Sequence, residues 1–152
     1  MNQPVSGDLR LDGVRIGLGF RVPLGDGVRL AATVIKPRNT TSGPVILTMT
    51  PYGSDRYIEV GTFFSRHGYT FVIVDVRGRG NSEGRFRAMV QESSDVSDVI
   101  DWIAEQPWCN GSLGMWGGSY AGYSQWVAIR RRHDVLKSIA PVSAAFPGVD
   151  VP

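Results

Sequence analysis

The residues best placed to do chemistry lie in one stretch, Gly114-Met115-Trp116-Gly117-Gly118-Ser119-Tyr120-Ala121-Gly122. A serine hydroxyl is a poor nucleophile until a base lies near it and the charge created by its attack is stabilised. Ending a strand in a sharp turn and opening a helix at once places such a serine at the carboxyl edge of a sheet. Its oxygen then projects into a crevice near the positive end of the helix. The turn crowds its neighbours, so it needs small residues, and Gly117, Gly118, Ala121 and Gly122 supply them. Against the usual Gly-x-Ser-x-Gly, Ala121 in the last position is a mild departure. A phosphate-cradling turn is the rival, but neither Gly-x-Gly-x-x-Gly nor Gly-x-x-x-x-Gly-Lys can be read here. Ser119 is therefore the candidate nucleophile for attack on ester or amide carbonyls.

Such an attack needs donors for the developing oxyanion and a base for the proton. In this architecture one donor is the backbone amide after the nucleophile, here Tyr120, and the other comes from the loop after the third strand. That loop is Thr50-Pro51-Tyr52-Gly53-Ser54-Asp55. A phenol can meet the negative charge, and Tyr52 either does so or merely packs; spacing leaves both readings open. The base is harder to find. The chain has two histidines, and His67 precedes the serine. His133 follows Ser119 by 14 residues, at the far end of the helix that Ser119 opens. At helical rise that is roughly 20 Å, beyond hydrogen-bond reach, so a helix-end role is expected. Asp150 follows the last strand, where some folds of this class keep their acid. Cys109 is expected to be a small buried thiol in a turn, not a nucleophile.

The surrounding elements must deliver this geometry. Residues 14–22 and 28–36 alternate apolar and polar side chains around Gly25-Asp26-Gly27, a hairpin signal. Residues 45–49 read as a short buried strand. Tyr57, Val60 and Phe64 recur at helical spacing, with Gly68 as a stop. Residues 69–76 form a nearly continuous apolar run, as for a strand covered on both faces. A Gly- and Arg-rich loop spans 77–87. Val96, Val99, Ile100 and Ile103 then make one helical stripe, which Ser93 or Ser94 could cap. Residues 113–116 are the next strand, 120–132 the next helix, with Arg130 to Arg132 in its solvated last turn, and 136–142 the last strand. This alternation after a hairpin predicts an α/β fold, a mostly parallel sheet with helices on both faces.

Bulk properties bound the rest. At 152 residues, 42% hydrophobic and 20% charged, the chain has ordinary globular composition and length for one core. A formal charge of +2 gives no reason to expect nucleic acid or an anionic membrane. One cysteine excludes an internal disulfide. Met1-Asn2-Gln3-Pro4 opens no signal peptide, and no apolar stretch approaches the roughly 20 residues of a membrane span. The expectation is a soluble, cytoplasmic protein.

Three motifs in order then resemble one family: Pro51-Tyr52; the run Val74-Asp75-Val76-Arg77-Gly78-Arg79-Gly80-Asn81-Ser82-Glu83-Gly84; and Trp108-Cys109-Asn110-Gly111 leading into Gly117-Gly118-Ser119-Tyr120-Ala121-Gly122. The chain is similar, from about Arg15 to Val142, to the α/β-hydrolases that include cocaine esterase and the X-prolyl dipeptidyl peptidases, with α-amino-acid ester hydrolases as relatives. The family elbow is Gly-x-Ser-Tyr-x-Gly, which accommodates Ala121. The resemblance implies Ser119 as nucleophile, with the Tyr52 hydroxyl and the Tyr120 amide as oxyanion hole. It implies a small-molecule ester or peptide substrate, an acyl-enzyme and no metal or organic cofactor. Asp75 and Arg77 look like scaffold residues of the family, whose expected role is an ion pair or hydrogen bonds that shape the loop.

In that family the acid and then the histidine lie far downstream, beyond a helical cap, and Asp150 would lie on the wrong strand. Residues 1–152 are thus expected to be the N-terminal part of a catalytic domain, without the cap and C-terminal half and inactive alone. The apolar last strand would then be an open edge through which copies could associate. The alternatives are a noncatalytic α/β-hydrolase scaffold used for binding and a nucleotide-binding domain, the latter opposed by the missing phosphate loop.

Overall fold

The computed structural model of the chain describes residues 9–11 and 13–151; the stretch Met1 to Pro4 weighed for a signal peptide lies outside them. The elements run β1 (Leu9–Leu11), β2 (Val14–Pro23), β3 (Arg29–Pro37), β4 (Gly43–Thr50), α1 (Ile58–Arg66), β5 (Thr70–Asp75), α2 (Glu92–Ala104), β6 (Cys109–Gly118), α3 (Tyr120–Ala128) and β7 (Leu136–Val142). A short 3-10 turn, Ser54–Tyr57, precedes α1. Together the strands form one mixed sheet in the order β1-β2-β3-β5-β4-β6-β7. The first four in space pair antiparallel, while β5-β4, β4-β6 and β6-β7 are parallel.

Each piece follows from its sequence. The Gly25-Asp26-Gly27 turn closes with Leu24 N–H on Val28 O at 2.9 Å, and Asp26 Oδ1 accepts from Val28 N–H. Gly27 takes the left-handed backbone (φ +88°) that favours glycine. All six residues of β5 are buried, as expected for a strand covered on both faces. On one face α1 covers Ile35, Phe71 and Ile73. Gly61 permits the close approach, since a Cβ there would stand 2.7 Å from Ile35 and 2.8 Å from Phe71. On the other face α2 and α3 cover the larger core around Val34, Leu47, Val74 and Met115.

This topology creates the crevice. From β4 the chain crosses through α1 to β5 on one side, and from β6 through α3 to β7 on the other. Adjacent strands whose following loops part to opposite faces leave a gap at their carboxyl ends. Tyr52 follows β4 and Ser119 follows β6, so the topology brings both to that gap.

Three expectations need correction. The helix after the elbow ends at Ala128, so Arg130 to Arg132 are not its last turn; they lead the chain back so that Leu136 can pair beside Leu113. Neither Ser93 nor Ser94 caps α2: the cap position is Gln91, and Ser94 Oγ donates to Gln91 O inside the first turn. Helix α2 starts early because Glu92 is drawn into a buried contact with Tyr120. Cys109 begins β6 and is half-buried, not in a turn. Strand β1, which no sequence pattern announces, extends the sheet beside β2.

β7 pairs with β6 on one side only and leaves its other edge open, with Val142 51% exposed. An unpaired strand edge recruits other chains. The 152-residue chain alone should therefore self-associate in light scattering, and a monodisperse monomer would contradict this.

Candidate active site

Ser119 is the hinge between β6 and α3. It holds a left-handed backbone, φ +54° and ψ −121°, uncommon for a residue with a Cβ. Several contacts hold it there. Its N–H donates to Val142 O at 3.0 Å, tying the elbow to the end of β7. The buried Thr48 hydroxyl donates to Trp116 O, tying β4 to the last residues of β6. Gln125, fully buried, donates to Gly117 O at 3.1 Å and Ala121 O at 2.9 Å and accepts from Ala140 N–H at 2.8 Å. One amide side chain thus links the elbow, the helix and β7.

Steric room explains the small residues. Gly117 has φ +146°, and a Cβ on it would meet the Ala121 Cβ at 2.7 Å. Positions 117 and 121 share one space that holds a single methyl. A glycine at 117 is what lets alanine stand where the common pattern has glycine. Gly122 faces Ala144, where a Cβ would come within 2.4 Å.

Tyr52 comes to the same place from the other strand. Its N–H donates to Thr50 Oγ1 at 3.0 Å, and Gly53 beyond it takes φ +97°. The Tyr52 hydroxyl lies 2.9 Å from Ser119 Oγ, and the Tyr120 N–H donates to that same phenol oxygen at 3.4 Å. Tyr52 is 44% exposed, and its hydroxyl end meets Ser119. The three residues singled out from sequence thus converge on one point. Ser119 is exposed there, while the Tyr120 side chain turns inward.

The histidines lie elsewhere. His67, exposed, bonds Phe63 O at 2.8 Å. His133 has left α3 and packs on α2, with Nε2 3.1 Å from Ser97 Oγ and Nδ1 3.2 Å from Asp101 Oδ1. The helix-end role expected for His133 is therefore corrected to a clasp between the α3–β7 turn and α2. These are the distances of a Ser–His–Asp relay. Ser97, however, is buried inside α2, where backbone amides are committed to the helix and cannot receive an oxyanion. Asp150 accepts from Phe146 N–H at 2.9 Å and closes its own loop.

Asp75 and Arg77 shape the surroundings, Arg77 through ion pairs and Asp75 through hydrogen bonds. Arg77, 8% exposed, makes a bidentate pair with Asp95 and a third contact to Asp26 at 2.6 Å. The hydrogen bond from Arg77 holds the Asp26 carboxyl below its ordinary value, and Asp95 above all raises that of Arg77. Asp75, at the end of β5, accepts from Asn81 N–H at 3.3 Å, and burial pushes its carboxyl above the usual range. Sequence reading missed the polar contacts behind the site, from Gln125, Glu92 and Arg79. Their partners lie on other elements, and no local pattern announces them. Among the described residues no group of three His, Cys, Asp or Glu side chains is placed to hold a metal, and no helix is long and apolar enough to cross a membrane.

A mixed sheet with helices on both faces and a strand–serine–helix elbow defines an α/β-hydrolase. The chain matches the X-Pro dipeptidyl-peptidase family (S15) over residues 26–151 and belongs to it. It is 40% identical over 134 residues to cocaine esterase of Rhodococcus sp. (strain MB1 Bresler), covering 82% of this chain and 23% of that protein. Among solved structures, an α-amino acid ester hydrolase is similar with a TM-score of 0.80 at 26% identity, over 94% of this chain and 28% of the other. An aminopeptidase from a marine-sediment Thaumarchaeota archaeon gives 0.72 at 28% identity, over 84% and 26%. The chain thus spans about a quarter of the length of these relatives.

The shared space at the elbow is testable. Gly117→Ala should destabilise the protein by about 1–3 kcal/mol in chemical denaturation, from strain and the clash with Ala121. Adding Ala121→Gly should return only part of that loss, because the backbone strain persists.

Proposed function

We propose that this chain carries the nucleophile and oxyanion-binding part of a serine hydrolase acting on ester or X-Pro peptide bonds. One observation carries the reading: the Tyr52 hydroxyl and the Tyr120 amide converge beside the exposed Ser119 hydroxyl. When Ser119 Oγ adds to a carbonyl carbon, negative charge moves to the former carbonyl oxygen. Donors held close to that oxygen stabilise the charge. At rest Tyr52 bonds Ser119 Oγ; with substrate bound, its hydroxyl is free to turn to the carbonyl oxygen. Collapse expels the alcohol or amine, and water then hydrolyses the acyl-enzyme.

The proton of Ser119 needs an acceptor. Both described histidines are held by other groups, so the base and its orienting acid would come from further chain. The same observation favours a second reading, a noncatalytic scaffold whose crevice only binds. An acid and then a histidine in the continuing reading frame would separate the two.

In the complete protein, Ser119→Ala should abolish turnover of activated esters and X-Pro anilides down to what the oxyanion donors alone support; full activity would end the nucleophile assignment. Tyr52→Phe should lower kcat by ~10²–10³ with little change in KM, since the contact strengthens in the transition state. If that variant loses stability but keeps kcat, Tyr52 only packs. The 152-residue chain alone should show no measurable esterase activity and little labelling by a fluorophosphonate, and robust labelling would reopen the roles of His133 and Asp150.

A further inference from the structure

Resting on the reading just given, we propose that Glu92 is a positioning residue for the oxyanion hole, acting through the phenol of Tyr120. Tyr120 opens α3, so its N–H is one of the amides a helix leaves without an intrahelical partner. Its direction is set by how the first turn of α3 is held. At 3.4 Å from the Tyr52 oxygen it sits at the outer limit of a hydrogen bond. Small rotations of that turn therefore decide whether the two donors meet at one point.

The Tyr120 ring is the handle on that turn. Its hydroxyl donates to Glu92 Oε1 and accepts from Met89 N–H at 3.0 Å. Burial first, and the Glu92 contact second, hold this phenol well above its ordinary pKa, so it remains a donor. Glu92 is only 5% exposed and is the first residue of α2, where the positive helix end favours a carboxylate. Its other oxygen accepts from Gln91 N–H at 3.1 Å. One turn further along α3, the Tyr123 hydroxyl donates to Met89 O at 3.3 Å.

A second line of contact ties the same segment to Tyr52. The exposed Arg79 donates from Nε to Pro51 O at 3.1 Å, immediately before Tyr52. Its guanidinium lies 5.3 Å from the Phe86 ring centroid, and Phe86 packs on Tyr120 at 6.0 Å. Both donors are thus braced against the segment between β5 and α2, and Glu92 is its buried polar anchor on α3.

A carboxylate–phenol pair could serve stability alone, so the test reads catalysis and stability separately. In the full-length protein, Glu92→Ala should lower kcat for an activated ester by ~10- to 10²-fold, as small misplacements do, with KM little changed. Glu92→Gln, which still accepts from Tyr120, should recover part of that loss. Tyr120→Phe should match Glu92→Ala, and the double variant should be no worse than the poorer single one, because both cut the same path. A folded Glu92→Ala with full kcat, beside an inactive Ser119→Ala, overturns the positioning role and leaves Ser119 standing. Additive losses in the double variant overturn the route through Tyr120. Should Glu92→Ala fail to fold, full kcat in Tyr120→Phe overturns the proposal. Activity surviving in Ser119→Ala removes the reading of the site and the proposal with it.

Discussion

The carboxyl edge of this sheet is organised around a backbone angle that its central residue resists. Ser119 holds φ +54° with a Cβ attached, a state costing on the order of 1–3 kcal/mol that persists only where surroundings over-determine it. Here two neighbouring strands and a helix do so: Thr48 from β4, Val142 and Ala140 from β7, and Gln125 from α3 all bond the elbow or its brace. The glycines before the serine and the alanine after it follow from the same constraint, as does the close approach of the chain beyond β7. The strained turn and the order of the strands are one feature, since the contacts that hold it come from the neighbours that the topology supplies.

A second node lies behind the first. Arg77 gathers the β2–β3 turn, the exit of β5 and the start of α2 into one node, through a buried pair with Asp95 and a contact to the more exposed Asp26. A guanidinium so enclosed is costly to desolvate, and bidentate geometry with extra hydrogen bonds is what offsets that cost. The segment that leaves this node carries Arg79, Phe86 and Met89, the residues that reach the Tyr52 loop and the first turn of α3. Ionic contacts here fix where a loop starts and ends, and aromatic contacts then aim it.

Much of this was legible in the sequence, for physical reasons. The hairpin was readable because Gly25-Asp26-Gly27 must turn, and β5 because a fully covered strand must be apolar throughout. The elbow was readable because few sequences crowd so many small residues around a serine between a strand and a helix. The interactions that cross the fold were not. Tyr120 and Glu92 are 28 residues apart, and Ser97 and His133 are 36 apart; neither pair has a periodic signature. The ends of α2 and α3 were misread for a related reason. Local cap and charge preferences are worth about 1 kcal/mol or less, and here they lost to the buried Tyr120–Glu92 contact at one end and to the pairing of β7 at the other.

The contrast between Ser97 and Ser119 sharpens what the crevice is for. Ser97 has a histidine and an aspartate at relay distances but lies inside a helix, with no convergent donors around it. Ser119 has the Tyr52 hydroxyl and the Tyr120 N–H grouped beside it but no histidine bonded to it among the described residues. A base is a single mobile side chain that any neighbouring segment can bring. Two donors aimed at one point require a fixed angle between two backbone segments, and only a folded sheet edge supplies that. On the proposed reading, the residues between Thr48 and Val142 hold the part of the catalytic apparatus that depends on rigidity. The contacts that fix Ser119, Tyr52 and Tyr120 all close within that span, so a histidine delivered from elsewhere in the protein would meet an oxyanion site already formed.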